Sequence, residues 1–227
     1  MTMTAEALTK EFIRQGNGTN RFVAVQPADI SIERGQFVLL MGRSGSGKST
    51  LLNMLAGLLT PTSGKVLYGG EDIYAMDDGK LSRFRSEHIG VIPQGQTAVH
   101  SLTVTENICL SYMLYGTDKE RAAASEYAAV LMERLDISRL ADAMPSELSG
   151  GELRRMAIAR AMIRKPDVIF ADEPTCDLDD ENTENVLKIL KETALSGTAV
   201  FMVTHEKDAA EYADVRYKMS SGRIERD

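Results

Sequence analysis

The stretch that most restricts how this chain can fold is Gly42-Arg43-Ser44-Gly45-Ser46-Gly47-Lys48-Ser49. It follows the apolar run Phe37-Val38-Leu39-Leu40 and opens residues 48–58, where Leu51, Leu52, Leu55 and Leu58 recur at helical spacing. A strand, a glycine turn and a helix in that order make an α/β unit. The turn matches the pattern GxxxxGK[ST], whose glycines let successive backbone N–H groups converge on phosphate oxygens while the helix dipole adds positive potential. Lys48 is then expected to neutralise the β- and γ-phosphates of a nucleotide, and Ser49 to bind Mg²⁺. The alternative, a glycine-rich turn with a surface lysine, leaves the strand before it and the helix after it without a reason.

The rest of the chain keeps the alternation. The first forty residues look like β structure: Phe22, Ala24, Ile30 and Ile32 alternate with polar neighbours, Asn17-Gly18 is a hairpin-turn dipeptide, and Arg34-Gly35 breaks the run before Phe37. Residues 119–135 turn helical, with Tyr127, Leu131 and Leu135 on one stripe and Thr117-x-x-Glu120 as a capping box. Pro145 ends that pattern. Helices over 151–164 and 181–195 then alternate with the strands Val168-Ile169-Phe170-Ala171 and 199–204. Continuous apolar strands indicate a parallel sheet covered on both faces.

At 227 residues the chain has room for one large domain or two lobes sharing a core. Its 43% apolar and 26% charged residues form a globular mixture, which excludes disorder, collagen and coiled coil. The 26 basic and 33 acidic residues leave a net charge of −7, unsuited to a nucleic-acid groove built on phosphate neutralisation. Cys109 and Cys176 form neither a CxxC pair nor a disulfide framework and read as free thiols of a reducing compartment, where the sequon Asn17-Gly18-Thr19 is accidental. No apolar run approaches the roughly 20 residues a bilayer span needs, and residues 1–9 lack a signal pattern. Work at a membrane would call for another chain to supply the membrane part.

Asp172-Glu173 close an apolar strand at the edge where α/β proteins bind ligands. Asp172 would join the Mg²⁺ shell and Glu173 would orient or deprotonate an attacking water, the two side chains leaving a strand on opposite faces. By itself the pair reads equally well as an acidic turn. Leu148-Ser149-Gly150-Gly151-Glu152 is likewise a capping box with two glycines beside a helix N-terminus, an anion site in its own right. Set between residues 42–49 and Asp172-Glu173, it resembles the signature motif of ATP-binding cassette (ABC) ATPases. Its closing glutamate is similar to that of the lipoprotein-releasing and macrolide-exporter type cassettes.

The resemblance runs from the strand containing Leu8 to the closing turn Ser221-Gly222-Arg223-Ile224. It implies the α/β fold of a P-loop NTPase. A RecA-like parallel-sheet core with an N-terminal antiparallel β subdomain would occupy residues 1–92 and 165–227, and a helical signature subdomain residues 93–164. Gln94 matches the family's Q-loop glutamine and would contact Mg²⁺; Asp179, in Pro174-Thr175-Cys176-Asp177-Leu178-Asp179, looks like the D-loop aspartate. His205, after Val203-Thr204, resembles the switch histidine that contacts the γ-phosphate. Phe12 resembles the aromatic that stacks on adenine, so that ATP would lie on Phe12 and on residues 42–49 with Thr50. Taken alone, a histidine such as His205 would more often be incidental, and the alternative for Phe12 is ordinary strand core. Two departures stand out. Cys176-Asp177 replace the Gly-Asn usual in close relatives, at a loop that makes polar contacts across a dimer. Gln94-Gly95-Gln96-Thr97-Ala98-Val99-His100 replaces aromatic and leucine residues before Leu102-Thr103-x-x-Glu106-Asn107, which implies a smaller, more polar coupling surface.

By the same resemblance the signature lies too far from its own nucleotide, so two copies close head to tail around two Mg-ATP. Each Ser149 and Gly151 would grip the γ-phosphate held by the other copy's Lys48, and hydrolysis would open the pair. The implied protein is a homodimeric ATPase subunit at the cytoplasmic face of the inner membrane, peripheral through a transmembrane permease of the macrolide-exporter or cell-division type. It would drive export or extraction of an amphiphile such as a lipoprotein, peptide antibiotic, haem or drug. A cell-division type cassette, which regulates cell-wall hydrolysis without transport, has the same motifs. A cassette of DNA repair or translation would bring coiled-coil insertions or a second cassette.

Overall fold

Phe37-Val38-Leu39-Leu40, Ile169-Phe170-Ala171 and Val200-Phe201-Met202-Val203 are all completely buried. Strands sealed on both faces have no solvent side to keep polar, which is why their sequences run apolar without alternation. They form the centre of the molecule in the computed structural model, which describes residues 3–14, 20–95 and 97–227. The Asn17-Gly18 turn, the Asn17-Gly18-Thr19 sequon and Gln96 lie outside the described residues.

In chain order the elements are β1 (Met3–Arg14), β2 (Asn20–Ile32), β3 (Phe37–Gly42), α1 (Lys48–Leu55), β4 (Ser63–Tyr68), β5 (Glu71–Asp72), α2 (Asp78–His88) and β6 (Ile89–Ile92). There follow α3 (Val104–Tyr115), α4 (Asp118–Arg134), α5 (Gly150–Met162), β7 (Val168–Asp172), α6 (Asp180–Leu195), β8 (Ala199–Thr204), β9 (Val215–Ser220) and β10 (Arg223–Arg226). One sheet has the order β10-β9-β3-β8-β7-β6 and is parallel except at its edge strand β10. The other, β2-β1-β4-β5, is antiparallel throughout.

The two faces of the parallel sheet carry different covers. Val38, Leu40, Phe170, Phe201 and Val203 pack on Leu51, Leu52 and Leu55 of α1 and on Leu8, Val25, Ile30 and Val66 of the antiparallel sheet. Leu39, Ile169, Val200 and Met202 face a helical layer through Ile108 of α3, Leu131 of α4, Met156 of α5 and Leu190 of α6. Neighbouring residues of one strand thus serve opposite cores, as the two-residue repeat requires. At roughly 1.5–3 kcal/mol for each large apolar side chain fully buried, either core outweighs any single polar contact.

Thr117 and Ser149 cap α4 and α5 with reciprocal capping boxes, as their spacing indicates, and Thr103 does the same for α3. α1 is shorter than its leucine pattern suggests. It stops at Leu55, Gly57 turns the chain at φ 69, and Leu58 emerges 52% exposed instead of continuing the buried stripe. α3, α4 and α5 all lie between β6 and β7, which are hydrogen-bonded neighbours. These three helices of the layer are therefore an excursion from the sheet that begins just after Ile92, beside Gln94, whereas α6 joins β7 to β8. Among the described residues no helix is long and apolar enough to cross a membrane.

Candidate active site

The glycine loop leaves β3 and enters α1. Gly47 has φ 107 at the N-cap of α1, and a Cβ there would lie 2.3 Å from the carbonyl oxygen of Ala24. Gly42 is confined from the other side, its Cβ falling 2.3 Å from the carbonyl oxygen of Met219. Only glycine meets both demands. The loop is also stitched from outside: the N–H of Gly222 donates to the carbonyl of Ser46 (3.0 Å), and the N–H of Gln26 donates to the carbonyl of Gly222 (2.8 Å). α1 has no side-chain cap and no acidic residue in its first turn, so its leading N–H groups are left for an anion. Lys48, 7% exposed, donates through Nζ to the carbonyls of Gly42 (2.8 Å) and Arg43 (3.1 Å), bonds that a phosphate can replace.

β7 delivers Asp172, which is 5% exposed and whose Oδ1 is buried with no hydrogen-bond partner among the described residues. Burial pushes its carboxyl above the usual range, while the Ser49 hydroxyl and the Lys48 ammonium pull the other way. An orphaned carboxylate oxygen beside a serine hydroxyl fits a hard divalent cation.

Glu173 corrects one expectation. β7 ends at Asp172, and Glu173 adopts φ 50 with its N–H bonded to the carbonyl of Val203 at 2.8 Å. The two acids diverge through a left-handed kink, not through strand alternation, and both line one cavity. For a non-glycine residue that kink costs on the order of 1–3 kcal/mol. Nδ1 of His205 lies 3.1 and 3.0 Å from the two carboxylate oxygens of Glu173, and this contact raises the imidazole above its ordinary 6.5. Thr175 Oγ1 donates to Glu206 at 2.6 Å and ties together the two turns that carry Glu173 and His205.

The cavity has a volume of about 730 Å³. Phe12 and Phe22, paired across β1 and β2, line it together with Arg43, Ser44, Gly45, Gly47 and Lys48 to Thr50. Gln94, Asp172, Glu173, Cys176 and His205 complete the lining. Gly42 and Ser46 shape the loop from its far side.

None of Leu148, Ser149, Gly150, Gly151 or Glu152 lines this cavity. Ser149 is exposed; its Oγ donates to Glu152 at 2.8 Å and accepts the Glu152 N–H at 3.3 Å, while Arg139 holds the other carboxylate oxygen of Glu152. The Ser149 N–H helps to keep that carboxyl below the usual range. Gly151 faces Leu178, so the signature stretch abuts residues 176–179. Asp179 caps α6 by accepting the N–H of Asn182 at 2.8 Å, and Asp177 sits at φ 67, which aspartate tolerates better than most residues. Sequence reasoning missed Phe22 as a partner of Phe12, the Thr175–Glu206 bond and the buried Arg154. An arginine among the apolar positions of α5 was the available signal for the last.

The ABC transporter family model matches residues 25–176, which hold the glycine loop, the signature stretch and Asp172-Glu173. The chain belongs to the ABC transporter family. This cassette is 36% identical to the lipoprotein-releasing system ATP-binding protein LolD of Shewanella oneidensis, over 98% of this chain and 95% of that protein. It is 37% identical to the macrolide export ATP-binding/permease protein MacB 2 of Aeromonas hydrophila, over 94% of this chain and 33% of that one. The kinship drawn from Glu152 therefore holds. The fold matches the dimeric structure of MJ0796, a bacterial ABC transporter cassette, with a TM-score of 0.89 and 31% identity over 99% of this chain and 98% of that one. MJ0796 is also known in a dimeric post-hydrolysis state bound to ADP and Pi, at 31% identity and TM-score 0.88. The cassette is an ATP-binding ATPase with a RecA-like parallel core and an antiparallel N-terminal sheet.

Proposed function

We propose that the cassette binds Mg-ATP in the cavity, pairs head to tail with a second copy and drives a membrane permease in the export or extraction of an amphiphile. The observation that carries this reading is the separation of the parts. The glycine loop, Asp172, Glu173 and His205 share one cavity, while Ser149 and Gly151 stand on another surface with residues 176–179. A second copy turned head to tail supplies to each cavity what its own chain holds elsewhere, and the dimers of MJ0796 support that pairing.

In this reading Phe12, with Phe22 beside it, stacks on the adenine, and the N–H groups of residues 43–50 hold the phosphates. Lys48 trades two carbonyls for phosphate oxygens. Ser49, Gln94 and Asp172 would hold Mg²⁺, which supplies neutralisation of phosphate charge. Glu173 orients the attacking water and takes its proton. In the resting contact His205 occupies the Glu173 carboxylate, so its swing toward a γ-phosphate frees that carboxylate for water. Cys176-Asp177, at their departure from the relatives, place a thiol in the cavity wall.

Residues 93–164 act as the helical subdomain against a core of 1–92 and 165–227. The permease meets a groove between α2, α3 and α5, where Leu58, Leu114 and Tyr115 are exposed and the Ser86 and Ser111 hydroxyls are buried without hydrogen-bond partners among the described residues. That groove adds apolar contact to the more polar stretch 94–100, and in this reading the cassette sits at the cytoplasmic face of the inner membrane. Affinity purification of a tagged Glu173→Gln cassette from native membranes with Mg-ATP, followed by mass spectrometry, tests the reading. An integral membrane protein in fixed ratio is expected, and its architecture separates transport from cell-wall signalling. Recovery of the ATP-bound dimer alone would overturn the membrane role.

A further inference from the structure

α5 carries the signature stretch at its N-terminus, and two of its arginines reach across to the segment that follows β6. Arg154 is 6% exposed, and its guanidinium donates to the main-chain carbonyls of Pro93 and Gln94, one from each terminal nitrogen. Arg160 donates to the carbonyl of Thr97 at 2.7 Å and to its hydroxyl. One helix thus grips the main chain on both sides of Gln94, and it does so where neither the sheet nor a helix holds residues 93–95 or Thr97.

A buried guanidinium is a costly way to hold neutral carbonyls, since an amide or apolar side chain would fill the space with less desolvation. What the charge adds is strength and direction. Hydrogen bonds from an ionised donor are roughly twice as strong as neutral ones, and the planar fork fixes two acceptors at once. The same charge reaches the cavity, where it favours the ionised form of Asp172. Gln94 is exposed to that cavity and is followed by Gly95, so the grip on its carbonyl is what sets where its side chain enters.

We infer that Arg154 is a positioning residue for Gln94. It fixes the main chain from which Gln94 enters the nucleotide cavity, and through α5 it makes that placement move together with Ser149 and Gly151. It touches no substrate, and the inference rests on the cavity role proposed above for Gln94.

A double-mutant cycle in the full chain tests it: Gln94→Ala, Arg154→Gln and the pair, with Arg154→Lys as the conservative variant. The readouts are steady-state ATP hydrolysis, the ATP Kd by calorimetry and thermal melting. Arg154→Gln is expected to lower kcat about tenfold with KM and Kd within about twofold, and to cost less than about twofold once Gln94 is already alanine. Arg154→Lys, which keeps one charged donor, should recover part of the loss. A residue that serves the fold alone would lower the melting temperature and cut activity equally in both backgrounds. Additive losses, or unchanged kcat in Arg154→Gln, overturn the inference. Unchanged turnover in Gln94→Ala alone would overturn the Gln94 reading, and the inference with it. Should Arg154→Gln fail to fold, the cycle run with Arg154→Lys asks the same question.

Discussion

α1 and α5 both open on glycine-rich segments that suit an anion, yet their N-termini are finished in opposite ways. α1 has no side-chain cap, its Lys48 rests on the loop's own carbonyls, and Asp172 Oδ1 and Ser46 Oγ near it are buried without hydrogen-bond partners among the described residues. α5 is closed on itself, with Ser149 capping Glu152, Glu152 returning the bond and Arg139 balancing its charge. The difference follows from what surrounds each end. A concave site can leave interactions unmade because a ligand will make them, whereas a helix end on the open surface satisfies its polar groups within its own chain.

The sharpest way to break the comparison is Glu173→Gln. Turnover should fall by roughly 10²–10⁴-fold with ATP binding intact. Light scattering should then find a stable ATP-bound dimer, and a monomer in saturating Mg-ATP would mean that the two ends do not meet. Lys48→Ala acts on the concave end alone and should weaken ATP binding about 100-fold in calorimetry, in line with loss of a charged hydrogen-bonding group. Ser149→Ala acts on the closed end. It should cost about 1 kcal/mol of stability through the lost cap and lower turnover about tenfold, leaving the monomer's ATP affinity unchanged. A parallel loss of affinity would place the signature serine in its own chain's site. The smallest effect concerns pH. Glu173 raises the His205 pKa, so the stability their contact adds is fully present below 6.5 and fades as pH rises through the raised value. An NMR titration should show a His205 midpoint above 6.5 that returns toward it in Glu173→Gln and stays put in Ser149→Ala.

Features set by neighbours in the chain were legible in advance, and those set by distant partners were not. The glycine loop, the capping boxes at Thr117 and Ser149 and the buried strands around Phe170 and Val200 depend on spacing within a few residues, so the sequence displays them directly. Glu173 reads as a strand residue until Val203, on the neighbouring strand, takes its N–H and fixes the left-handed kink. Leu58 continues a helical repeat that Gly57 has already ended. Phe22 joins Phe12 only through the register of β1 against β2. An arginine among the apolar positions of α5 hints that Arg154 is buried, but its acceptors lie across the gap at residues 93–94, which α5's own sequence does not reveal.

The stitch at Gly222 joins three parts of the chain that share no chemistry: the turn before β10, the carbonyl of Ser46 and the amide of Gln26 in β2. When phosphates stiffen the glycine loop, the openings that expose those two amides to solvent become rarer as well. Hydrogen–deuterium exchange at Gln26 and Gly222 should therefore slow on nucleotide binding, so that occupancy can be read from two amides bonded only to the protein itself.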